Sequence, residues 1–192
     1  MKPFRSILLA FLLLVPPALA AVGERRHRFP NRFAVVIPGR LFRGGFPTAG
    51  DVRNLKSDRG IQTIISLTGD KNEPKYEDEK RTAESLSIRL LRFPMPGNGC
   101  ADFGDLDRAA DALADALANP GKRPVFYHCD AGKQRSNALL AAYRMRAGRW
   151  SFDRALQELV QSYDLDRENE KVLVDHLRAY AKWLEASGRG AE

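Results

Sequence analysis

The sequence predicts an α/β layer fold with a small, mostly parallel central sheet flanked by helices. Helical and strand patterns alternate from Leu41 onward. The central strand candidate is a short, apolar, turn-bounded run of the kind that is buried on both faces. A glycine-bearing loop then joins that strand directly to a helix. Such alternation places a functional site at the carboxyl ends of the strands. The 192 residues suit one domain with a sizeable core, and no internal repeat is visible.

Taken in order, residues 48–56 read as a helix, 61–67 (Ile61-Gln62-Thr63-Ile64-Ile65-Ser66-Leu67) as a strand, 74–86 as a helix and 88–93 as a strand. Residues 94–102, with Pro94, Pro96, Gly97, Asn98 and Gly99, are turn chemistry and predict a loop. A helix follows over 106–118 and is stopped by Asn119-Pro120-Gly121. Pro124, Val125, Phe126 and Tyr127 lead into the strand 125–128, and 137–147, rich in Ala, Leu, Met and Arg, reads as a helix. Helices over 152–162 and 168–185 place Leu156, Leu159, Val160, then Val172, Leu173, Leu177, Tyr180, Trp183 and Leu184 at helical spacing, a stripe that belongs to the core.

Residues 128–136, His-Cys-Asp-Ala-Gly-Lys-Gln-Arg-Ser, lie between the central strand and its helix. Cys129 ends the strand and Ser136 is expected to open the helix, so the loop amides and the positive helix end converge where an oxyanion would sit. That field lowers a thiol's pKa from near ~8.5 and makes Cys129 a candidate nucleophile. Arg135 offers a planar fork for two phosphate oxygens. Gly132 lets the backbone turn, and Ser136 places a hydroxyl to stabilise the leaving sulfur. Asp130, Ala131, Gly132, Lys133, Gln134 and Arg135 form the phosphate-binding stretch, with His128 expected to orient the loop rather than to act as a base. Arg43 is a further candidate that could reach the phosphate, against the plainer reading of a structural pairing.

His128-Cys129, five residues and Arg135-Ser136 resemble the signature loop of the cysteine-dependent protein tyrosine phosphatases, and the small size resembles their dual-specificity branch. Leu41-Phe42-Arg43-Gly44-Gly45-Phe46-Pro47 and 60–67 are similar to the amino-terminal half of the atypical dual-specificity phosphatases, exported bacterial members being the nearest likeness. The resemblance runs from about Arg40 to Ala147 and implies a protein tyrosine phosphatase-like fold and a metal-free, cofactor-free phosphocysteine mechanism. Two positions depart from it. Asn137 stands where many relatives carry glycine, which leaves the chemistry intact. Asp130 stands where phosphoinositide-directed members often carry lysine, which counts against a highly phosphorylated substrate.

A general acid must protonate the leaving oxygen. Asp102 is favoured because it lies in the 94–102 loop, and in similar exported phosphatases an Ala-Asp pair sits at this distance ahead of the signature loop. Asp105 is the alternative; it and Asp107 are also explained as acids at a helix start.

Lys2 and Arg5, an apolar run over 7–15 and Pro16-Pro17-Ala18-Leu19-Ala20 read as a cleaved signal peptide over 1–20. The run is far shorter than the ~20 residues that span a bilayer, so no stable membrane insertion is expected after cleavage. A segment over 21–39 and a phosphatase domain over 40–187 follow, in the periplasm or secreted. Net charge is +7, or +5 without residues 1–20. Arg25, Arg26, His27, Arg28 and Arg32 cluster without the interleaved aromatics of a single-strand nucleic-acid platform and read as a solvated segment. His27 and His176 show no partner spacing, and no cluster has zinc spacing. The two cysteines give no disulfide framework; Cys100 is most simply an idle thiol, with a reversible disulfide to Cys129 as the alternative.

The expected function is an exported phosphatase acting on phosphotyrosine in a protein substrate, with phosphoserine or phosphothreonine activity beside it. An inositol-phosphate or phosphoinositide phosphatase and a silent phosphate-binding module are the alternatives.

Overall fold

The computed structural model describes residues 28–69 and 73–189. The expected signal peptide, Arg25, Arg26 and His27 lie outside the described residues. Five short strands make one sheet: β1 (Ala34–Ile37), β2 (Leu41–Gly44), β3 (Thr63–Ser66), β4 (Arg89–Arg92) and β5 (Val125–His128), in the order β1-β2-β5-β3-β4. β2, β5, β3 and β4 are parallel, and β1 adds antiparallel to the edge at β2. The sheet is therefore mostly parallel, as the alternation predicts. β2, β3 and β5 are buried along their whole length, and most of their residues are apolar; Arg43, Thr63, Ser66 and His128 are the buried polar exceptions.

The helices are α1 (Ala49–Arg59), α2 (Pro74–Ser85), α3 (Phe103–Ala118), α4 (Gln134–Arg146), α5 (Phe152–Ser162) and α6 (Lys171–Ala186). Because side chains alternate along a strand, β5 sends Phe126 to one core and Val125, Tyr127 and Cys129 to the other. The smaller core joins Phe42, Ile64 and Phe126 to Val52 and Leu55 of α1 and Ala83 of α2. The larger joins Leu41 and Ile65 to α3, α4, α5 and α6, with Leu156, Leu159, Leu173, Leu177, Tyr180 and Leu184 of the expected stripe buried in it; Val160 and Trp183 pack partly buried against it, and Val172, expected in the stripe, is exposed. Each fully buried side chain of this size contributes about 2 kcal/mol. At the head of α1, Thr48 accepts from the Asp51 amide and Asp51 accepts from the Thr48 amide, and Gly60 ends the helix at φ +66°.

Several boundaries differ from the sequence expectation. The sheet reaches back to Ala34, inside the stretch 21–39, so Ala34-Val35-Val36-Ile37 is an edge strand. α3 begins at Phe103, three residues before the expected start, and α4 begins at Gln134, so Arg135 and Ser136 lie inside its first turn. α6 begins at Lys171 instead of 168. The described part of the basic cluster is also engaged: Arg28 pairs with Asp58, and Arg32 donates to the Ala131 carbonyl at 3.1 Å. Among the described residues no helix is long and apolar enough to cross a membrane.

Candidate active site

Cys129 follows the central strand and is 2% exposed. Two donors address its sulfur: the Gly132 amide at 3.2 Å and the Ser136 hydroxyl at 3.3 Å. Both stabilise a thiolate more than a thiol, and the N-terminus of α4 adds its dipole from the same side. The loop is held from outside as well. The His128 carbonyl accepts from Leu67 at 2.9 Å and the Asp130 carbonyl from Phe46 at 3.0 Å. Gly132, at φ +69°, sits so close to the strand behind it that a Cβ would lie 2.6 Å from Gly44 and Gly45, so any side chain there would push the loop off its support.

Arg43 does not enter the phosphate pocket. It is buried behind the loop, donating to the Gly132 carbonyl at 3.0 Å and to Asn137 Oδ1 at 2.8 Å, with its guanidinium 4.3 Å above the Tyr163 ring. This explains the asparagine at 137. Its side-chain carbonyl accepts a hydrogen bond from Arg43 and its amide donates to the Tyr163 carbonyl at 3.4 Å, a bridge that glycine would not make.

Each cation of the loop faces a carboxylate. Arg135 donates to Asp130 Oδ2 at 2.6 Å, and Lys75, from the first turn of α2, lies 3.2 Å from Asp130 Oδ1. Partial burial opposes ionisation of Asp130, but the hydrogen bonds from Arg135 and Lys75 hold its carboxyl below the usual range. Lys133 lies 3.6 Å from Oε1 of Glu170, a buried acid just ahead of α6 whose other oxygen accepts from the Asp166 amide at 3.0 Å. The cavity over the sulfur, about 360 Å³, is lined by Cys129, Ala131 and residues 133–135, by Gly97 of the 94–102 loop, and by Asn169 and Glu170. Neither Lys75 nor Glu170 was singled out from the sequence, since both reach the loop from remote segments.

Asp102 is exposed and stands at the N-cap of α3, yet its side chain makes no capping bond, leaving the carboxylate uncommitted by the helix. Its loop packs on the head of α4, where a Cβ at Gly99 (φ +79°) would meet the Gln134 carbonyl at 2.9 Å. The other carboxylates are engaged elsewhere. Asp105 pairs with Arg108 beside a separate cavity of about 230 Å³ that holds no nucleophile. Asp107 is buried against the Tyr180 hydroxyl (3.0 Å), Arg146 (3.2 Å) and Arg189. His176, which showed no partner spacing, packs on Phe103 at 5.0 Å; burial pulls its pKa down, against the opposing effects of the Ala101 carbonyl and of Asp102.

His128 is fully buried, with Nδ1 3.4 Å from the Cys129 carbonyl and Nε2 2.6 Å from Oε1 of Glu79 on α2. The sequence reading missed Glu79. Its signal was present: Tyr76, Glu79 and Ala83 share one buried face of α2, an acid on an apolar stripe. Cys100 and Cys129 are both free thiols; burial raises the pKa of Cys100, whose sulfur faces the Val172 carbonyl at 3.9 Å. Among the described residues no group of three His, Cys, Asp or Glu side chains is arranged to hold a metal ion.

A family model described as a DSP-PTPase phosphatase fused to NAD+ kinase matches residues 34–175. An inositol diphosphatase of Arabidopsis thaliana is 28% identical over 130 residues, covering 67% of this chain and 61% of its own length. The dual specificity protein phosphatase TpbA of Pseudomonas aeruginosa is 26% identical over 162 residues, 80% of this chain and 68% of its own. The crystal structure of TpbA superposes with a TM-score of 0.60 at 20% identity, covering 81% of this chain and 92% of that one. The catalytic core of the PP-IP phosphatase SIW14 from Saccharomyces cerevisiae does so at 0.59 and 20%, over 77% and 85%. These superpositions show a common fold, and the chain spans 61%, 52% and 60% of three curated inositol diphosphatases it matches. Since the family model takes in the sheet from its first strand, the signature loop and every helix up to the start of α6, the chain belongs to the DSP-PTPase phosphatase family.

Proposed function

We propose that this protein is an exported phosphatase that hydrolyses phosphotyrosine, with phosphoserine and phosphothreonine as further substrates, through a phosphocysteine. The observation that carries the proposal is the pair of donors aimed at Cys129 Sγ inside an amide-lined loop that also bears Arg135. In the first step the Cys129 thiolate attacks phosphorus, the ester P–O bond breaks, and Asp102 gives its proton to the leaving oxygen. Arg135 exchanges Asp130 for two equatorial phosphate oxygens, where its planar fork holds the transferring group. In the second step Asp102 takes a proton from water, the oxygen attacks phosphorus, and the P–S bond breaks as the Ser136 hydroxyl stabilises the departing thiolate. Export rests on the leader pattern of residues 1–20.

A second reading, hydrolysis of inositol phosphates, draws on the relatives named inositol diphosphatases. Against it stand Asp130 and Glu170, which offset Arg135, Lys75 and Lys133 at the rim and leave little surplus positive charge for a polyphosphate. A silent phosphate-binding role is disfavoured by the uncommitted Asp102. The test is turnover of a phosphotyrosine analogue and of an inositol pyrophosphate by the chain from Ala21, with reductant and EDTA. We expect the aryl phosphate to be preferred, Cys129→Ser to be inactive, and Asp102→Asn to lose roughly 100-fold in kcat. Preference for the inositol substrate would replace the first reading with the second, and no turnover of either would leave the binding role.

A further inference from the structure

A second cavity opens behind the signature loop. It measures about 190 Å³, its wall includes Arg32, Phe33, Arg43, Gly132, Tyr163 and Asp164, and it shares no wall residue with the cavity over Cys129. Arg43 is the buried charge of that wall, 1% exposed. Its Nη2 donates to the Gly132 carbonyl and to Asn137 Oδ1, while Nη1 has no hydrogen-bond partner. Two rings stand near the guanidinium, Tyr163 at 4.3 Å and Tyr127 at 5.8 Å, but among the described residues no carboxylate forms an ion pair with it. A charge withdrawn from water is stable when it is paired and fully hydrogen-bonded. Arg43 thus brings an unmatched positive charge and an unused donor to the wall of an open cavity, the complement of an anion.

The rest of the wall narrows the choice of anion. Arg32 adds a second cation; it is exposed and also donates to the Ala131 carbonyl at 3.1 Å. Two guanidinium forks suit an oxyanion with several oxygens better than a halide. Asp164 is exposed on the same wall and, among the described residues, pairs with neither arginine. A carboxylate in that place repels a fully ionised oxyanion and accepts a hydrogen bond from one that keeps a proton. Hydrogen phosphate keeps a proton at neutral pH, and sulfate does not.

We infer that this cavity is a second oxyanion site, suited to hydrogen phosphate, on the rear of the signature loop. Arg43 Nη1 and the Arg32 guanidinium hold the oxygens, and Asp164 accepts the hydrogen bond of the remaining proton. The same two arginines hold the carbonyls of Ala131 and Gly132, so the occupant is tied to the backbone of the loop from the side opposite Cys129. The site goes beyond the reaction proposed above and does not depend on it, because binding needs no turnover.

The test is a titration of the full chain with inorganic phosphate after iodoacetamide has capped Cys129, so that a neutral adduct fills the front cavity. Cys100, capped as well, lines no part of the rear one. In ¹H–¹⁵N NMR spectra the amides of Phe33, Ala34, Tyr163 and Asp164 should shift saturably with phosphate, and sulfate should bind about tenfold more weakly. Arg32→Gln should weaken phosphate about tenfold, for the loss of one charge-assisted contact. Asp164→Asn should bring sulfate up to the affinity of phosphate; asparagine also tolerates the φ of +53° found at this position. No saturable shift at these amides in the capped, otherwise unaltered chain, or shifts confined to other surfaces, overturns the inference, and that measurement requires no variant to fold. A folded Arg32→Gln protein that binds phosphate as wild type does overturns the placement of the site. Sulfate bound by wild type as tightly as phosphate overturns the assignment to hydrogen phosphate.

Discussion

At the scale of the residue, Asp130 sets how much charge the loop presents. It is bound to Arg135 and Lys75 within the loop proposed to receive a phosphate, where a ligand would have to displace it. Asp130→Asn is expected to tighten inhibition by inorganic phosphate about threefold, a modest change because the carboxylate is partly exposed and screened; unaltered inhibition would show that Asp130 does not compete. The signature residues were legible because they are contiguous: a cysteine, a glycine, an arginine and a serine lie within eight positions, whereas the rest of the cavity wall, Gly97, Asn169 and Glu170, comes from elsewhere. Lys75, Glu79 and Glu170 were not, because each comes from a helix or turn remote in the chain and reads locally as one more charged residue. Arg43 was legible as important but not as to side. Only the pleat of β2, with Leu41 facing the larger core and Phe42 the smaller, shows that Arg43 lies under the loop, on the side of Tyr163.

Among the elements, α6 and the 94–102 loop act together. Phe103 packs on His176 at 5.0 Å, Tyr180 at 5.7 Å and Trp183 at 5.9 Å, so the carboxylate proposed as the acid, one residue before it, stands on a base supplied by the last helix. Burial lowers the His176 pKa despite the Ala101 carbonyl and Asp102. The folded state thus binds this proton less tightly than the unfolded chain, and the contribution of His176 to stability is complete above its ordinary value of 6.5 and lost as pH falls through the lower, folded value. The melting-temperature gap between wild type and His176→Gln should therefore be larger at pH 7.5 than at pH 5.5; a gap that widens on acidification would contradict this. Elements with a strong periodic pattern were read correctly in kind, and 152–162 and 125–128 in extent as well. The misplaced ends share a cause. The heads of α3 and α4 carry Phe103-Gly104-Asp105 and Gln134-Arg135-Ser136, residues that read as loop until tertiary packing recruits them.

Across the whole molecule, one buried carboxylate joins the two ends of the larger helical layer. Asp107 of α3 receives the Tyr180 hydroxyl of α6, Arg146 of α4 and Arg189 beyond α6. Asp107→Ala would leave these donors without their common acceptor and should cost about 2 kcal/mol of unfolding free energy, less than a wholly enclosed pair because Arg189 is partly exposed. Chemical denaturation checks this. The order of the layers followed from the alternation in the sequence. The edge strand β1 did not, because its four residues abut a basic stretch that invited a solvated reading, whereas Phe29 and Phe33 stack at 4.3 Å and anchor that stretch to the smaller core.

The clearance behind Gly132 bears on how this chain could change over time. Because the loop rests against Gly44 and Gly45 with no room for a methyl group, these three positions can drift only in concert. A library that randomises residues 130–134 while selecting for a new ester should return glycine at 132 whatever the ester, and spend its diversity on 130, 131, 133 and 134, which line or rim the cavity. The reaction is tied to backbone the fold will not release, and the choice of substrate to side chains it will.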